Sequence, residues 1–314
     1  MKAKPIIIVS GEPKSIFFEI LFKSLKYNKF KSPIILISSY KILRSEMKRY
    51  KCNYDIKILN LDNLTKFQLS NKGLYLININ FISNKSQIFI KRCFETAFKI
   101  LKLGITKKFI NGPINKSKFL DKKFPGITEY VSKNFKKQKT AMLIYNKKLS
   151  VCPVTTHLPL KTVTKKINFK LIKEKTLLIN DFYIKNFDYR PKIAVTGLNP
   201  HCESILKFNE DRKILMPAIK SLQKLNIKIS GPFPADTIFL KRNREKYDVI
   251  IGMYHDQVLS PFKTLFEYDA INITLGLPFL RISPDHGPNE KMFGKNKSNP
   301  SSLINCLKFL DKSD

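Results

Sequence analysis

Short apolar runs alternate along the chain with longer stretches in which apolar residues return every three or four positions. The runs Ile6–Val9, Pro33–Ile37, Leu74–Ile79, Lys108–Asn111, Ala141–Tyr145, Ser150–Val154, Lys192–Thr196, Lys228–Ser230, Val249–Gly252 and Asn272–Leu275 read as strands. Most are continuously apolar, the pattern of parallel strands covered on both faces. Helical periodicity marks Pro13–Lys26, Tyr40–Arg49, Lys85–Lys102, Thr128–Phe135, Pro159–Lys166, Asn168–Phe187, Asp211–Leu225, Pro261–Phe266 and Ser301–Asp311. Strand–helix alternation predicts a three-layer α/β/α architecture with a mostly parallel sheet. No internal repeat or low-complexity linker interrupts it, so residues 1–314 are expected to form one unit of two lobes, with a boundary near 125–140.

In such folds chemistry gathers where parallel strands end. The chain has four histidines, and each follows a predicted strand: His157 in Thr155-Thr-His-Leu-Pro-Leu160, His201 in Gly197-Leu-Asn-Pro-His201, His255 in Met253-Tyr-His-Asp-Gln257, and His286 in Ser283-Pro-Asp-His-Gly287. Three such imidazoles are able to form a His₃ site for a divalent cation with positions left open for substrate. Their wide spacing fits no local metal motif, and hydrogen-bonding loop histidines are the competing account. Asp256 and Asp285 stand beside two of them, as imidazole-orienting carboxylates, as bases, or as turn-stabilising residues.

Composition changes this picture less than it first promises. The chain carries 58 Lys+Arg against 24 Asp+Glu, a formal charge of +34. Only eight of the basic residues are arginines, the side chain that nucleic-acid readers favour for bidentate contacts. The lysines are spread through every segment, and Ile, Asn, Lys and Phe are abundant together, as in an AT-rich coding sequence. Nucleic acid is therefore not the expected partner. A hydrophobic content of 43% excludes a disordered polycation. No apolar stretch is long enough to span a membrane, and the run Ile6–Val9 is too short for a secretory signal. Five cysteines without paired spacing read as free thiols, and the expected compartment is the cytoplasm. Against the lysine background, Arg281 is the single arginine after Arg244. It suits bidentate capture of a phosphate or carboxylate, or a structural ion pair. Neither G-x-G-x-x-G, G-x-x-x-x-G-K-[ST] nor G-x-S-x-G is present, which argues against a Rossmann site, a P-loop and an α/β-hydrolase.

Taken in order, these segments resemble the PdxA family, the 4-hydroxythreonine-4-phosphate dehydrogenases of vitamin B6 biosynthesis. The resemblance rests on Gly11-Glu-Pro13 with Ile16 and Glu19, Asn111-Gly-Pro-Ile-Asn-Lys116, Gly126-Ile-Thr-Glu129, Thr155–Leu160, Gly197–His201, Pro234-Ala-Asp-Thr237, Met253–Gln257, Asn272–Arg281 and Asp285-His-Gly287. It implies two lobes around a cleft, isocitrate-dehydrogenase-like rather than Rossmann, with a C-terminal segment able to return to the first lobe. It also implies a homodimer with active sites at the interface, His157 coming from one chain and His201 and His255 from the other. These would hold Zn²⁺, with Mg²⁺ or Co²⁺ as alternatives. Thr128, Lys263, Asn272 and Arg281 would bind a small phosphorylated amino-acid substrate, with Asp236 and Asp256 as catalytic acids or bases. NAD, or NADP, would lie against Leu275, Gly276, Ser283 and Asp285. The implied reaction oxidises 4-phosphooxy-L-threonine to a β-keto acid, which loses CO₂ to give 3-amino-2-oxopropyl phosphate.

The sequence departs from the family pattern at several points. The histidine of the family's GHTE segment is Ile127 here, and glycines of other motifs are Ser15, Phe17, Ser204 and Val258. Two alternatives follow: a related dehydrogenase acting on another β-hydroxy acid or diol, and a polyanion-binding protein on a decayed enzyme scaffold.

Overall fold

A computed structural model describes residues 3–27, 29–64, 67–83, 85–115, 119–120, 124, 126–203 and 208–313. Lys116 and Ser204 lie outside these. Along the chain the strands are β1 Ile6–Val9, β2 Ile34–Ser38, β3 Ile56–Ile58, β4 Leu74–Asn78, β5 Lys108–Asn111, β6 Ala141–Tyr145, β7 Ser150–Pro153, β8 Ile193–Thr196, β9 Ile229–Phe233, β10 Val249–Gly252, β11 Ile271–Leu275 and β12 Leu280–Pro284. The α-helices are α1 Phe17–Tyr27, α2 Tyr40–Arg49, α3 Ser86–Lys102, α4 Ile127–Asn134, α5 Leu160–Lys166, α6 Phe169–Phe187, α7 Met216–Gln223, α8 Ala235–Ile238, α9 Lys241–Arg244, α10 His255–Phe266 and α11 Ser301–Lys312. The expected α/β class with a mostly parallel sheet is borne out.

Two compact units divide the chain, Met1–Phe135 with Leu277–Asp314, and Lys136–Gly276. In the first unit the strand order is β3-β4-β2-β1-β5-β12, with each neighbouring pair parallel. Ile7, Val9, Ile35, Ile37 and Phe109 pack on Phe89, Phe94 and Phe98 of α3 and on Val131 of α4. The alternate residues Ile6, Ile8 and Leu36 are equally buried, and α11 lies on β12 and β1 and against α1. Burial on both faces is why these strands carry no polar alternation.

In the second unit the order is β11-β6-β7-β10-β8-β9. Strands β7, β10, β8 and β9 are parallel, whereas β6 runs antiparallel to β7 and β11. One face packs Val151, Ile250 and Ala194 against Val258, Leu259 and Phe262 of α10 and Ile238 and Phe239 of the α8 region. α6 lies on β6 and β11, and α7 on β9.

Three readings of the sequence need correction. The helix expected to start at Pro261 starts at His255, with Pro261 inside it. A proline at the first turn is the usual signal, but burial of Val258 and Leu259 continues the helix upstream of it. β3 and β12 escaped notice because one is three residues long and partly exposed, and the other ends in Ser-Pro around a buried arginine. Asp211–Leu225 is a five-residue π turn, Asp211–Leu215, followed by α7.

Candidate active site

Three parallel neighbours, β7, β10 and β8, end on one edge of the second unit. His157 follows β7, His255 opens α10 directly after β10, and His201 sits in the 3-10 turn Pro200–Cys202 after β8. His157 and His201 are exposed, and His255 is half-buried. The His157 and His255 rings lie 6.0 Å apart, centroid to centroid, within one chain. His201 adopts φ 55°, a left-handed conformation that a non-glycine residue takes up only when its surroundings impose it.

Those surroundings are buried polar contacts that the sequence did not advertise. Asp211 is fully buried, and its carboxylate accepts hydrogen bonds from the backbone N–H groups of Leu198 and Asn199 and from the Asn199 amide, at 2.7, 3.1 and 2.9 Å. It therefore shapes the loop that carries His201. A Cβ on Gly197 would lie 2.7 Å from Cys202 Sγ and 3.0 Å from Asp211 Oδ1, so this position must be glycine. Gln257, in the first turn of α10, accepts hydrogen bonds from Met253 N–H (2.7 Å) and Thr196 Oγ1 (2.8 Å) and donates to Gly197 O (2.7 Å). Thr155 donates from Oγ1 and N–H to Met253 O. Burial, with Asp211 beside it, pushes the Cys202 thiol up to about 11.

The carboxylate of Asp256 meets Nδ1 of His255 at 2.6 Å and is 79% exposed on its side-chain surface. With Nδ1 donating to Asp256, the lone pair on Nε2 is left for a cation, the carboxylate–histidine–metal arrangement. The donors present thus suit a divalent cation. Among the described residues no group of three His, Cys, Asp or Glu side chains converges in this way. Asp236 stands exposed in the first turn of α8, at the end of β9, and its charge reaches Cys202.

The other expected residues lie elsewhere. Lys263 is eight residues along α10 from His255, about 12 Å by helical rise. Asn272 sits within β11, paired with Ile144. This is level with Val151, short of the end of β7. Its Oδ1 is buried without a hydrogen-bond partner. Leu275 is core, and Gly276 has φ 87° with Lys139 O only 2.2 Å from where a Cβ would be, which accounts for the glycine on structural grounds.

The first unit has its own cluster, where Arg281 near the start of β12 reaches Asn111 at the end of β5. Arg281 is 3% exposed; its Nε donates to Asn111 Oδ1 at 2.8 Å and its NH1 to Thr128 Oγ1 at 3.3 Å. Burial lowers its pKa to about 10, against the pull of Glu129. Thr128 belongs to the first turn of α4, whose N-cap is Gly126 with no side-chain cap. The buried guanidinium thus lies beside an uncapped helix N-terminus whose first turn also carries Glu129. Ser283 is buried in β12, and Asp285 follows it, its N–H donating to Ser302 Oγ.

Of the departures from the family pattern, Phe17, Ile127 and Val258 are core residues. Ile127 is 7% exposed within the apolar cluster of the first unit. Phe17 is fully buried against Gly112, just after β5, where a Cβ would lie 2.3 Å from Ser10 O and 2.8 Å from Phe17 Cδ2. Val258 is fully buried against Gly252, where a Cβ would lie 2.3 Å from Val258 Cγ1. Ser15 bonds Glu12 O through Oγ and accepts from Phe17 N–H, capping the approach to α1.

The profile of a family described as "Pyridoxal phosphate biosynthetic protein PdxA" matches residues 29–310. A 4-hydroxythreonine-4-phosphate dehydrogenase of Sulfurihydrogenibium is 36% identical, with 96% of each chain covered. The enzyme of that name from Aquifex aeolicus is 33% identical over 98% of each. A D-threonate 4-phosphate dehydrogenase of Salmonella typhimurium is 29% identical, again over 98% of each. Among solved structures, a 4-hydroxythreonine-4-phosphate dehydrogenase from Klebsiella pneumoniae superposes with a TM-score of 0.84 at 27% identity, covering 99% of both chains.

Proposed function

The chain belongs to the PdxA family, and on that premise we propose that it is a dehydrogenase oxidising 4-phosphooxy-L-threonine at its β-hydroxyl, with loss of CO₂ to 3-amino-2-oxopropyl phosphate. The observation that supports this reading is the strand edge of the second unit, where His201 follows β8 and His255 follows β10 with Asp256 on its Nδ1. In this reading a divalent cation, Zn²⁺ first, supplies Lewis acidity, and NAD or NADP supplies the hydride acceptor. The cation's ligands in this reading are His157 of one chain and His201 and His255 of the other. Asp256 keeps the His255 ring in one tautomer and orientation. Asp236, exposed near the His201 turn, accepts the proton of the substrate hydroxyl. Arg281, held in a fixed orientation by Asn111 and Thr128, binds the substrate phosphate, with the N-terminus of α4 beside it. Lys263 and Asn272 are further substrate contacts. Ser283 and Asp285 are assigned to the dinucleotide, together with the backbone at Leu275 and Gly276. The working form is a homodimer.

The test is direct. Purified protein is incubated with 4-phosphooxy-L-threonine, NAD⁺ and Zn²⁺ or Mg²⁺, and NADH is followed by its near-ultraviolet absorbance, with His201→Ala as control. Absence of NADH from the wild type overturns the reading, and equal rates in both proteins overturn the metal assignment. A second substrate deserves a parallel arm because Ile127 removes a hydrogen-bond donor from the first turn of α4. D-threonate 4-phosphate carries a hydroxyl where the first substrate carries an amine, and preferential turnover of it assigns the chain to that activity.

A further inference from the structure

Between the end of β12 and the start of α11 the chain runs through residues 285–300 with one 3-10 turn, Glu290–Met292, along it. A stretch this long with so little regular structure needs anchors from outside. Glu19 and Lys23 stand one turn apart on α1 and point the same way. Glu19 is 1% exposed, and its carboxylate accepts from Ser298 N–H, from Lys23 Nζ at 2.8 Å and from the Tyr50 hydroxyl at 3.4 Å. The two remaining donors of Lys23 go to Asn296 O (3.1 Å) and Ser298 O (3.0 Å), so all three of its N–H groups are used. Arg49 adds a second hold, its guanidinium 4.6 Å from the centroid of the Phe293 ring. Nearer β12, Ile16 N–H donates to Pro288 O at 3.2 Å. Four residues beyond Ser298, Ser302 Oγ in the first turn of α11 accepts the N–H of Asp285 at 2.9 Å. Fixing Ser298 therefore fixes the helix start to which Asp285 is tied.

We propose that Glu19 and Lys23 are positioning residues that hold residues 285–298 in the conformation that receives the dinucleotide, and thereby set its affinity. The inference rests on the dinucleotide assignment made above and extends it to an ion pair on α1. The stretch has room for such a ligand: a Cβ on Gly287 would meet nothing within 4 Å, so the backbone there faces open space and permits close approach. Loss of Lys23 removes the partner of two carbonyls in the stretch and leaves the Glu19 charge buried beside them. β12 itself keeps its ladder with β5, so the effect is confined to the stretch and the helix start behind it.

NADH and NADPH are the probes, read by their own fluorescence in a chain without tryptophan. Full-length wild type, Glu19→Gln, Lys23→Met and the double variant are titrated with each, and amide hydrogen exchange is followed without ligand. Glu19→Gln keeps the shape and an acceptor for Ser298 N–H but removes the charge opposite Lys23. The expected result is a roughly 3–30-fold weaker affinity for the bound dinucleotide in each single variant, the range for side chains that act on a site through others. The KM for the oxidised dinucleotide should rise in step, with kcat at saturation within about twofold of wild type. Exchange should quicken in residues 286–298 and stay unchanged in β1 and β5. Because the two side chains act as a pair, the double variant should lose less than the product of the single losses. Unchanged affinity in both single variants, with wild type binding a dinucleotide, overturns this inference and leaves the cofactor assignment standing. Weaker affinity with exchange quickened equally in β1 and β5 also overturns it, as a general loss of stability. Failure of the wild type to bind either dinucleotide overturns both. Should Glu19→Gln fold poorly, Lys23→Met, at a side chain 26% exposed, carries the same comparison.

Discussion

The two units end their parallel strands in opposite ways. At the edge of Lys136–Gly276 the candidate groups face water: His157, His201, Asp236 and Asp256 are exposed, and the order resides in the backbone beneath them. At the edge of the other unit the candidate groups are themselves buried, Arg281 and Asn111 almost completely. On the proposed reading, imidazoles that take up a cation gain from solvent access, whereas a guanidinium that holds an anion gains from a low dielectric. The cost differs accordingly: the exposed set needs a brace, and the buried charge pays desolvation, visible in its pKa of about 10.

The largest expected effects separate the two edges by what they spare. His201→Ala should lower NADH formation by at least ~10³-fold, through loss of cation chemistry. Its melting temperature without metal should stay within about 2 °C of wild type, because the ring is exposed. Arg281→Met should instead raise the KM for substrate by on the order of 100-fold. Millimolar inorganic phosphate should raise the melting temperature of wild type and leave that of Arg281→Met unmoved. A phosphate shift of equal size in both proteins would remove Arg281 from anion binding.

A smaller effect tests whether the bulky replacements really pack into space vacated by strand-end glycines. Gly252→Ala should cost ~1–3 kcal/mol by overpacking against Val258, and the double variant Gly252→Ala/Val258→Gly should recover part of it. Additive losses in denaturant unfolding would show that the two sites are not coupled.

The smallest effect concerns another buried charge of the first unit. Burial raises the pKa of Glu46 in α2 above its usual 4.5, outweighing its pairing with Arg49. A raised pKa means that the stability this group contributes is complete below pH 4.5 and declines as pH rises through the folded value. Glu46→Gln should therefore melt about 1–3 °C above wild type at pH 7, with the difference vanishing below pH 4. A constant difference across that range would assign it to packing rather than charge.

Much of this could be read directly from residues in order. Continuous apolar runs marked parallel strands because burial on both faces leaves no polar alternation, and β1, β5, β7, β8 and β10 fall where that pattern lies. The scarce histidines and the late Arg281 stood out because the lysine background makes any other polar choice informative. Other features depended on the fold. Asp211, Gln257 and Thr155 are ordinary residues whose partners lie 13, 60 and 98 positions away for the bonds Leu198–Asp211, Gln257–Gly197 and Thr155–Met253. Their significance comes from parallel strands bringing distant loops to one edge, which local periodicity does not encode. The same holds for the departures from the family motif. As a sequence, Phe17, Ile127 and Val258 read as damage to a site. Packed, they are core residues, two of them opposite a glycine that leaves room, because side-chain volume is settled by neighbours in space and not by neighbours in the chain.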